Sequence, residues 1–464
     1  MVSSESIRER GRRKRDGGGE GGRDSGSTGG INEGEGMRKL LLGLGFLVQG
    51  FRCFPWMAVN FFLKDGLKVD PSTLQILQSS ANLPMVAKPF YGIISDSFYI
   101  FGQHRVPYIA IGAFLQAVSW IAIFLSPSNI SFFTITLYLL LGNLGASVVE
   151  VANDAMVAEL GKPPSSSSKN SQHSSSGQLQ SFVWIAASVG GILGNLAGGI
   201  AIDRFPPQVM FLMFGILLSI QFLVTIFINE SSLGLPKSPQ NRGIKKQLSE
   251  LLVALQKPEI YYSITWFAAS YAMIPALTGT MFYYQTQHLG VKSSVLGISK
   301  VFGQAAMLLW GIIYNKNLKS MSPLKLMSAI QATMAVFMFS DFLFVKGVYR
   351  MLGIPDSLYV VLFSGLLEVL YFFKILPFSV VMAQLCPPGC EGSVMAFLMS
   401  ALALAIIVSG YLGVALSSFV QVTGNDFSGL QHALLIQAVC TLLPLYWSSC
   451  IPDGDKPKTK PKES

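Results

Sequence analysis

Six apolar segments, a charged gap and six further apolar segments fill residues 40–449 of this 464-residue chain. Each segment approaches the roughly 20 residues that an α-helix needs to cross the hydrocarbon core of a bilayer. The predicted spans of the first set are 40–63, 74–95, 106–126, 131–153, 179–201 and 208–229. Those of the second set are 260–284, 294–314, 323–345, 357–383, 394–421 and 430–449. The pattern predicts an all-α integral membrane protein with twelve transmembrane helices in two six-helix halves.

Composition agrees with a membrane-embedded chain, because apolar residues make up 51% of it and charged residues only 13%. Soluble domains carry about 25% charged residues. The predicted regions are a disordered cytoplasmic N-terminal tail (1–39), an N-terminal bundle (40–229), a cytoplasmic linker (230–259), a C-terminal bundle (260–449) and a cytoplasmic C-terminal tail (450–464). The first 36 residues and the serine-rich loop 163–178 have compositions typical of disorder. The N-terminal tail lacks the apolar segment of a signal peptide, and its seven acidic residues argue against a transit peptide.

The net charge of +9 could indicate a nucleic-acid partner, but the distribution of the charge argues against one. With the N-terminus placed in the cytoplasm, 24 of the 34 Lys and Arg residues lie in cytoplasmic segments and six lie in segments of the other side. This asymmetry is the positive-inside bias of membrane proteins. It predicts cytoplasmic termini, with the lipid bilayer and not nucleic acid as the partner of the chain.

Cysteine and histidine offer little for metal or redox chemistry. Cys386 and Cys390 lie in a Pro-Gly turn on the predicted cytoplasmic side, where a reduced pair is expected. The four histidines are far apart, so no metal site or cofactor is predicted. The chain also lacks the GxxxxGK[ST] loop of ATP-driven pumps. It lacks a nucleophile or metal constellation as well, so we do not expect an enzyme.

A faint internal repeat relates the two halves. LKVDPSTL at 67–74 aligns with LGVKSSVL at 289–296, and YGIISD at 91–96 aligns with WGIIYN at 310–315 after a gap of three residues. The matches place the second span over the eighth, as a parallel six-plus-six repeat predicts. Chance similarity between apolar runs is the alternative.

Two carboxylates near the end of the fourth span are candidates for function. Glu150 and Asp154 are four residues apart, so they share one face of a helix. Carboxylates at membrane depth are costly and usually face a cavity or a partner. They could accept a proton, bind substrate, or pair with Arg105 or Lys88; alternatively, Asp154 lies at headgroup level in water.

Further ionisable residues fall within predicted spans: Arg52, Lys88, Lys300, Glu368 and Lys374. Lys88 could instead extend its amine to the lipid headgroups. Asp341 lies near a predicted helix end and is expected at the surface.

The seventh span contains a plausible hinge, since Pro275 removes one backbone hydrogen bond and Gly279 follows at helical spacing. Tyr271 could stack on a flat ring, although tyrosine near a helix end is often an interface anchor. In the fifth span, glycines every four residues predict a close helix-packing face: Gly190, Gly194 and Gly198.

The turn after the second span contains Gly92, Asp96, Gly102 and Arg105, which resemble the signature loop of the major facilitator superfamily. Gly102 permits a tight turn, and Arg105 is within reach of a carboxylate at the helix end. Such a charge network is expected to hold the cytoplasmic gate in one state and release it in another. The alternative is a solvated turn whose charges only set the topology.

Five stretches resemble folate-biopterin transporters, a branch of the same superfamily, and the FRCFPW start is similar to plant members. They are VQGFRCFPW with FFLKDGL (48–67), LPMVAKPFYGIISD (83–96), EVANDAMVAE (150–159), IPALTGTMFYYQTQHLG (274–290) and PFSVVMAQLCPPGCEGSVMAFLMS (377–400). The resemblance implies folate or a pterin as substrate. It also implies that spans one, four, seven and ten line a central cavity, which places Arg52, Glu150, Glu368 and Lys374 near the translocation path.

The resulting prediction is a secondary transporter of folate or a pterin that works by alternating access. The predicted substrate or proton path comprises Arg52, Glu150, Asp154, Glu368 and Lys374, with Lys88 and Tyr271 as further candidates. A proton is the expected coupling ion, bound at Glu150, Asp154 or Glu368. The alternatives are a transporter of another organic anion and a non-transporting membrane receptor or scaffold. The organelle is left open, with the plastid envelope as one option.

Overall fold

The computed structural model describes residues 27–127, 130–160, 169–233, 244–318, 321–385 and 391–448. These residues form helices joined by turns, and no β-strand occurs among them. Nine helices in the described residues are long and apolar enough to cross a membrane. The predicted all-α membrane class is therefore confirmed, while three of the twelve predicted spans take a different form.

The N-terminal half carries the first six predicted spans. Its helices are α1 (Ser27–Phe51), α2 (Cys53–Phe61), α3 (Pro71–Ala81), α4 (Leu83–Val86), α5 (Lys88–Ser97), α6 (Val106–Leu125), α7 (Phe132–Leu160), α8 (Lys169–Ile202) and α9 (Pro207–Phe227). A π-helical turn, Phe62–Gly66, extends α2, and a 3-10 turn, Glu230–Leu233, follows α9.

The linker contributes α10 (Ile244–Leu255), and the C-terminal half carries the other six predicted spans. Its helices are α11 (Pro258–Ala272), α12 (Thr278–Tyr283), α13 (Ser293–Ile313), α14 (Pro323–Val345), α15 (Val348–Met351), α16 (Asp356–Tyr359), α17 (Gly365–Phe373), α18 (Ile375–Leu385), α19 (Glu391–Phe419) and α20 (Leu430–Tyr446). The π-helical turns of this half are Tyr284–His288, Tyr314–Leu318 and Val360–Ser364.

Proline explains the two breaks among the three spans that are not single long helices. The second span is divided into α3, α4 and α5, and Pro84 and Pro89 occupy the first turns of α4 and α5. Proline has no backbone N–H to donate, so it is tolerated in a first turn but interrupts a helix interior. The seventh span is interrupted between α11 and α12 around Pro275. The twelfth is a 17-residue helix that contains Pro444.

Two regions predicted to be disordered are partly helical, so the prediction was wrong for those residues. Within the predicted tail 1–39, α1 begins at Ser27, and within the predicted loop 163–178, α8 begins at Lys169. Adding a residue to an existing helix is far easier than nucleating one, so polar residues can extend a membrane-anchored helix. The predictions for residues 1–26 and 163–168, and for the cysteines of the CPPGC turn, lie outside the described residues.

The internal repeat is visible in two turns that have the same backbone hydrogen bonds. In the first half, the N–H groups of Leu67 and Val69 donate to the carbonyl oxygens of Phe62 and Leu63, at 2.9 and 3.1 Å. In the second half, the corresponding bonds join Leu289 to Tyr284 and Val291 to Gln285, at 3.0 and 2.9 Å. Each turn follows a π-helical segment. Each residue in the first turn and its counterpart in the second are separated by the same number of residues as the aligned sequences 67–74 and 289–296. The shared geometry favours two related halves over chance similarity.

Two of the three glycines predicted to form a close packing face of α8 do so, whereas a Cβ atom on the third, Gly198, would make only ordinary contacts at 3.6 Å. A Cβ atom on Gly190 would overlap the carbonyl oxygen of Leu47 in α1, and one on Gly194 would lie 2.7 Å from the sulfur of Cys53. A Cβ atom on Gly199, one residue beyond the predicted set, would lie 3.0 Å from the Cα atom of Gly297, in α13 of the other half. The fifth predicted span therefore packs tightly against both halves.

Gln75 of α3 joins the two halves at the end of the molecule where α2 and α12 end. Its amide nitrogen donates to the carbonyl oxygens of Ala276 and Gly410, both at 2.6 Å, and its amide oxygen accepts the N–H of Gly279 at 2.9 Å. At the same end, the hydroxyl of Tyr283 donates to the carbonyl oxygen of Val69. These bonds hold the break between α11 and α12 against the N-terminal half.

Candidate functional site

A cavity of about 520 Å³ lies between the two halves. This volume is within the range of small-molecule sites, roughly 300–1,000 Å³. Its aromatic lining consists of Trp56, Phe61, Tyr271, Phe282, Tyr371 and Phe372. Its amide and charged lining consists of Asn60, Gln78, Asn195, Gln285, Gln437, Lys300, Asp341 and Glu368. Rings for stacking and groups for hydrogen bonding therefore surround one chamber.

Lys300 and Glu368 form an ion pair on the wall of this cavity. The amine of Lys300, in α13, lies 2.6 Å from a carboxylate oxygen of Glu368, in α17. The Glu368 side chain is 53% exposed and that of Lys300 is 36% exposed. Each partner can thus be reached by a ligand without unfolding of the surrounding helices.

Arg52, Lys88 and Glu150 form a second charged cluster, and none of the three lines the cavity. Glu150 accepts a hydrogen bond from Arg52 at 2.5 Å and another from Lys88 at 2.6 Å. Arg52 also donates to the side-chain oxygen of Asn143 at 2.8 Å. Lys88 therefore binds a carboxylate within the protein in this conformation, and its amine is not directed only at lipid headgroups.

Asp154 pairs with neither Arg105 nor Lys88, the two cations that the sequence offered as partners. Asp154 is exposed one turn beyond Glu150 on α7 and forms no ion pair with any described residue. The two carboxylates share a helix face, as the spacing predicts, but only Glu150 is held by cations.

Lys374 is fully buried behind the cavity wall and is not part of the lining. Its amine donates to the side-chain oxygens of Gln331 and Ser270, at 2.6 and 2.9 Å, and lies 4.0 Å from the centre of the Tyr271 ring. Tyr271 separates Lys374 from the cavity, and its hydroxyl donates to the carbonyl oxygen of Tyr371 at 2.5 Å. Tyr271 is therefore a wall residue of the cavity and not an anchor at the membrane interface.

The expectation that Asp341 lies at the surface was wrong. Asp341 is only 6% exposed, and it lines the cavity from α14. The hydroxyl of Tyr359 donates to one of its oxygens at 3.0 Å. The apolar stretch of α14 continues past residue 341 and packs against the π-helical turn Val360–Ser364 and α20, so proximity to a helix end does not bring this side chain into water.

The residues predicted as a hinge lie at the break in the seventh span, where both are constrained. The N–H of Ala276, next to Pro275, donates to the carbonyl oxygen of Ser409 at 3.0 Å. This bond replaces the hydrogen bond within the helix that the N–H lacks at the break. A Cβ atom on Gly279 would lie 2.7 Å from the carbonyl oxygen of Pro71 in the other half. Glycine at 279 thus permits close contact between the halves, in addition to any flexibility.

The predicted gate loop contains an ion-pair network around Arg105, which is itself buried. One guanidinium nitrogen of Arg105 lies 2.5 Å from carboxylate oxygens of both Asp96 and Glu159. Gly102 has a positive φ of 73°, a conformation that favours glycine, and so closes the turn before Arg105. Gly92 lies on α5 at ordinary contact distance from α7. Asp96, His104 and Glu159 also have the spacing of a three-ligand cation site, but the guanidinium already binds both carboxylates.

Glu230 ties the same loop to the end of the sixth predicted span. One of its oxygens accepts the backbone N–H groups of His104, Arg105 and Val106, at 2.8, 2.7 and 3.1 Å. These N–H groups belong to the beginning of α6, where a carboxylate is favoured by the helix dipole. Burial lowers the pKa of His104 from its ordinary value, and the positive charge of Arg105 lowers that pKa further.

Sequence reasoning missed four residues that connect these sites: Gln75, Glu159, Glu230 and Asp341. Glu230 is 126 residues from His104, and Gln75 is 201 residues from Ala276, so no local pattern pairs them. An acidic residue directly after an apolar span was the available signal for Glu230, and an acidic residue within six residues of a span end was the signal for Glu159. Gln75 and Asp341 carried the signal of a polar side chain inside an apolar stretch.

A family model and curated relatives match nearly the whole chain. The model described as the BT1 family matches residues 49–463. A protein of Arabidopsis thaliana named "Probable folate-biopterin transporter 7" is 62% identical over 425 residues, which cover 91% of this chain and 95% of that protein. A second, named "Probable folate-biopterin transporter 8, chloroplastic", is 43% identical and covers 89% of this chain and 75% of its own length.

The solved structures confirm the fold class. The crystal structure of the nucleoside transporter NupG matches with a TM-score of 0.65 at 15% sequence identity, covering 89% of this chain and 97% of that one. At this identity the likeness concerns the fold alone. It agrees with the predicted major facilitator type of two helical halves around a central cavity.

Proposed function

The chain belongs to the BT1 family and is a membrane transporter and not an enzyme, and we propose that it carries folate or a pterin by alternating access. One observation carries the proposal: a cavity of about 520 Å³ with aromatic rings and an ion pair lies between two related halves. A flat, hydrogen-bonding ring system suits such a chamber. The names of the relatives point to the same substrate class.

We assign recognition of the pterin ring to the Lys300–Glu368 pair and its aromatic neighbours. The amino-pyrimidine edge of a pterin presents two parallel donors, which a carboxylate such as Glu368 can accept in bidentate fashion. Lys300, released from Glu368 by that contact, can bind an anionic group of the substrate. Trp56, Phe282 and Tyr371 offer faces for stacking.

The Arg52, Lys88 and Glu150 cluster is proposed as a second stage of the path. Two cations share one carboxylate there, so one of them can bind the glutamate tail of folate without leaving Glu150 unpaired. Asp154 is the next carboxylate along the same helix face. Lys374 acts through Tyr271, since its amine packs on the ring and fixes that part of the cavity wall.

Alternating access requires the contacts at the two ends of the cavity to break in turn. At one end these are the hydrogen bonds of Gln75 to Ala276, Gly279 and Gly410. At the other end, Arg105 with Asp96 and Glu159 braces the loop that carries the predicted gate. Gly102 allows the turn on which this network depends, and Gly92 lies beside it on α5 at ordinary contact distance from α7. Pro275 lies where the seventh span can bend.

The membrane orientation is proposed from the charges, with both termini on the cytoplasmic side. The coupling ion is proposed to be a proton. The plastid envelope is the first membrane to examine, because the 43% identical relative is named chloroplastic. Imaging of the full-length chain with a C-terminal fluorescent tag against envelope and plasma-membrane markers tests that location.

The substrate is tested by uptake of labelled folate and a labelled pterin into proteoliposomes, with unlabelled organic anions as competitors. We expect saturable uptake that folate or pterin suppresses and simple dicarboxylates do not. Glu368→Gln is expected to lower uptake about tenfold or more, because a charge-assisted hydrogen bond to substrate is lost.

Glu35→Gln is the matched control, since Glu35 pairs with Lys39 at 2.7 Å on the exposed surface. This variant should transport as the wild type does. Folded protein that takes up neither folate nor pterin would overturn the substrate assignment. Uptake suppressed by unrelated organic anions would instead favour a general anion transporter.

A further inference from the structure

We infer that Asp341 is the proton-binding group of this transporter and that three hydroxyl groups connect it to one membrane surface. The inference rests on the proposed transport function, because it identifies the group through which a proton would be coupled. It differs from the expectation from sequence, in which Glu150, Asp154 or Glu368 would bind the proton.

Asp341 is a buried carboxyl group that faces the cavity without a cation beside it. It is 6% exposed and lines the chamber, and its one described hydrogen bond comes from Tyr359 at 3.0 Å. No ion pair joins it to any Lys, Arg or His in the described part of the chain. An unpaired buried carboxylate is strongly disfavoured, so the group holds a proton in this conformation.

The ionisable groups on the neighbouring helices leave Asp341 unpaired. Arg350, beyond α14, pairs with Asp356 at 2.8 Å, and Lys374 is bonded to Gln331, ten residues earlier on α14. Ten residues correspond to about 15 Å along a helix. Tyr371 of α17 shares the cavity lining, whereas α20 carries His432 on an exposed position and no Lys, Arg, Asp or Glu. No cation among the described residues therefore neutralises Asp341, so a bound proton must neutralise it.

The other carboxylates considered for this role are already paired or exposed. Glu150 is held between Arg52 and Lys88, and Glu368 is held by Lys300. A carboxylate paired with a cation favours its ionised form and is a poor proton acceptor. Asp341 alone among the cavity-lining carboxylates combines burial with the absence of a cation in the described residues.

A chain of hydroxyl groups leads away from Asp341 toward the end of the molecule where α14 ends. The hydroxyl of Tyr359 contacts Asp341 at 3.0 Å and Ser340 at 2.8 Å, and Ser340 contacts the hydroxyl of Tyr349 at 2.8 Å. Tyr349 belongs to α15, directly beyond α14. Each hydroxyl can donate and accept, so a proton can pass by successive exchange of hydrogen bonds.

The proposed step is a simple proton transfer. In the state described here, Asp341 carries one proton on the oxygen that does not accept from Tyr359. When the cavity opens at the end of the molecule away from Tyr349, water enters and reaches Asp341. The O–H bond then breaks, the proton leaves to water and the carboxylate remains. On rebinding, Tyr359 gives its proton to the carboxylate oxygen that it contacts and takes one from Ser340, Ser340 takes one from Tyr349, and Tyr349 takes one from water. Rotation of the carboxyl group and the hydroxyls then restores the starting arrangement before the acid is buried again.

The test compares Asp341→Asn with wild type in proteoliposomes, using labelled folate and a labelled pterin in two assays. With one proton per substrate, an inward gradient of one pH unit drives up to about tenfold accumulation by the wild type. Asparagine mimics the protonated acid, so we expect the variant to lose this accumulation but to exchange external for internal substrate at a rate close to wild type. Asp356→Asn removes a carboxylate nearby, next to Arg350, and should keep both activities.

Gradient-driven accumulation by Asp341→Asn would overturn the inference. Loss of exchange in the folded variant would also overturn it and would make Asp341 a substrate ligand. A substrate-free measurement separates this inference from the proposed function, because infrared spectroscopy detects a protonated carboxyl directly. We expect the band in wild type and in Asp356→Asn and its loss in Asp341→Asn. If wild type shows the band but transports neither substrate, the proposed function fails and the proton site stands.

Discussion

Glu150 is the residue on which the charge balance of the N-terminal half depends, since it binds Arg52 and Lys88 at once. Glu150→Gln would leave two cations facing each other in a partly buried site. Because breaking a buried ion pair leaves uncompensated charge, we expect the free energy of unfolding to fall by about 3 kcal/mol. Denaturation of the purified protein in detergent, followed by tryptophan fluorescence, measures this loss.

Glu35→Gln is again the control, because its pair with Lys39 is exposed on both sides. Water screens an exposed ion pair, which therefore contributes little to stability, so this variant should unfold close to the wild type. Equal losses in the two variants would show that Glu150 is solvated and that the cluster does not stabilise the fold.

Single residues were predictable from the sequence as candidates but not as partners. A charge inside an apolar segment is visible in the sequence, and this identified Arg52, Glu150 and Glu368. Their contacts depend on helix packing, because Glu150 meets residues 98 and 62 positions away. Asp341 was predicted to lie at the surface because it is near the end of a helix. That prediction was wrong because other parts of the protein cover this end of the helix.

Helix packing in α8 depends on glycine at specific positions, and two adjacent glycines allow a matched test. A Cβ atom on Gly190 would overlap the Leu47 carbonyl oxygen, whereas one on Gly191 would lie 3.6 Å from Gln304, an ordinary contact. Gly190→Ala should therefore lower the free energy of unfolding by about 1–3 kcal/mol, the usual cost of overpacking. The same denaturation assay in detergent measures it.

Gly191→Ala should be neutral or slightly stabilising, because alanine is the better helix former. If the two variants unfold alike, α1 and α8 do not pack as closely as the structure shows. The close packing at these glycines could be predicted from the sequence because their spacing is a local pattern. The breaks in the second and seventh spans could be predicted from their prolines. The hydrogen bonds that Gln75 and Ser409 make to the backbone of Ala276, at the break in the seventh span, could not.

For the whole molecule, the sequence contained the number of apolar segments, the two halves and the repeat, because each is a property of hydrophobic spacing along the chain. It did not contain the relation between the halves. Gln75, Tyr283 and Gly199 meet residues of the opposite half only after folding. Those contacts decide on which side the central cavity can open, so the conformational state required the structure.

Substrate is expected to cross only when the two halves separate at each end in turn. Asp203 of the first half and Ser293 of the second are in side-chain contact, so Asp203→Cys with Ser293→Cys places two thiols across the end of the molecule where Gln75 joins the halves. Uptake of labelled folate and pterin should stop when the pair is oxidised and return after reduction, while each single variant transports under both conditions. Uptake that continues through fully cross-linked protein would contradict alternating access by this cavity.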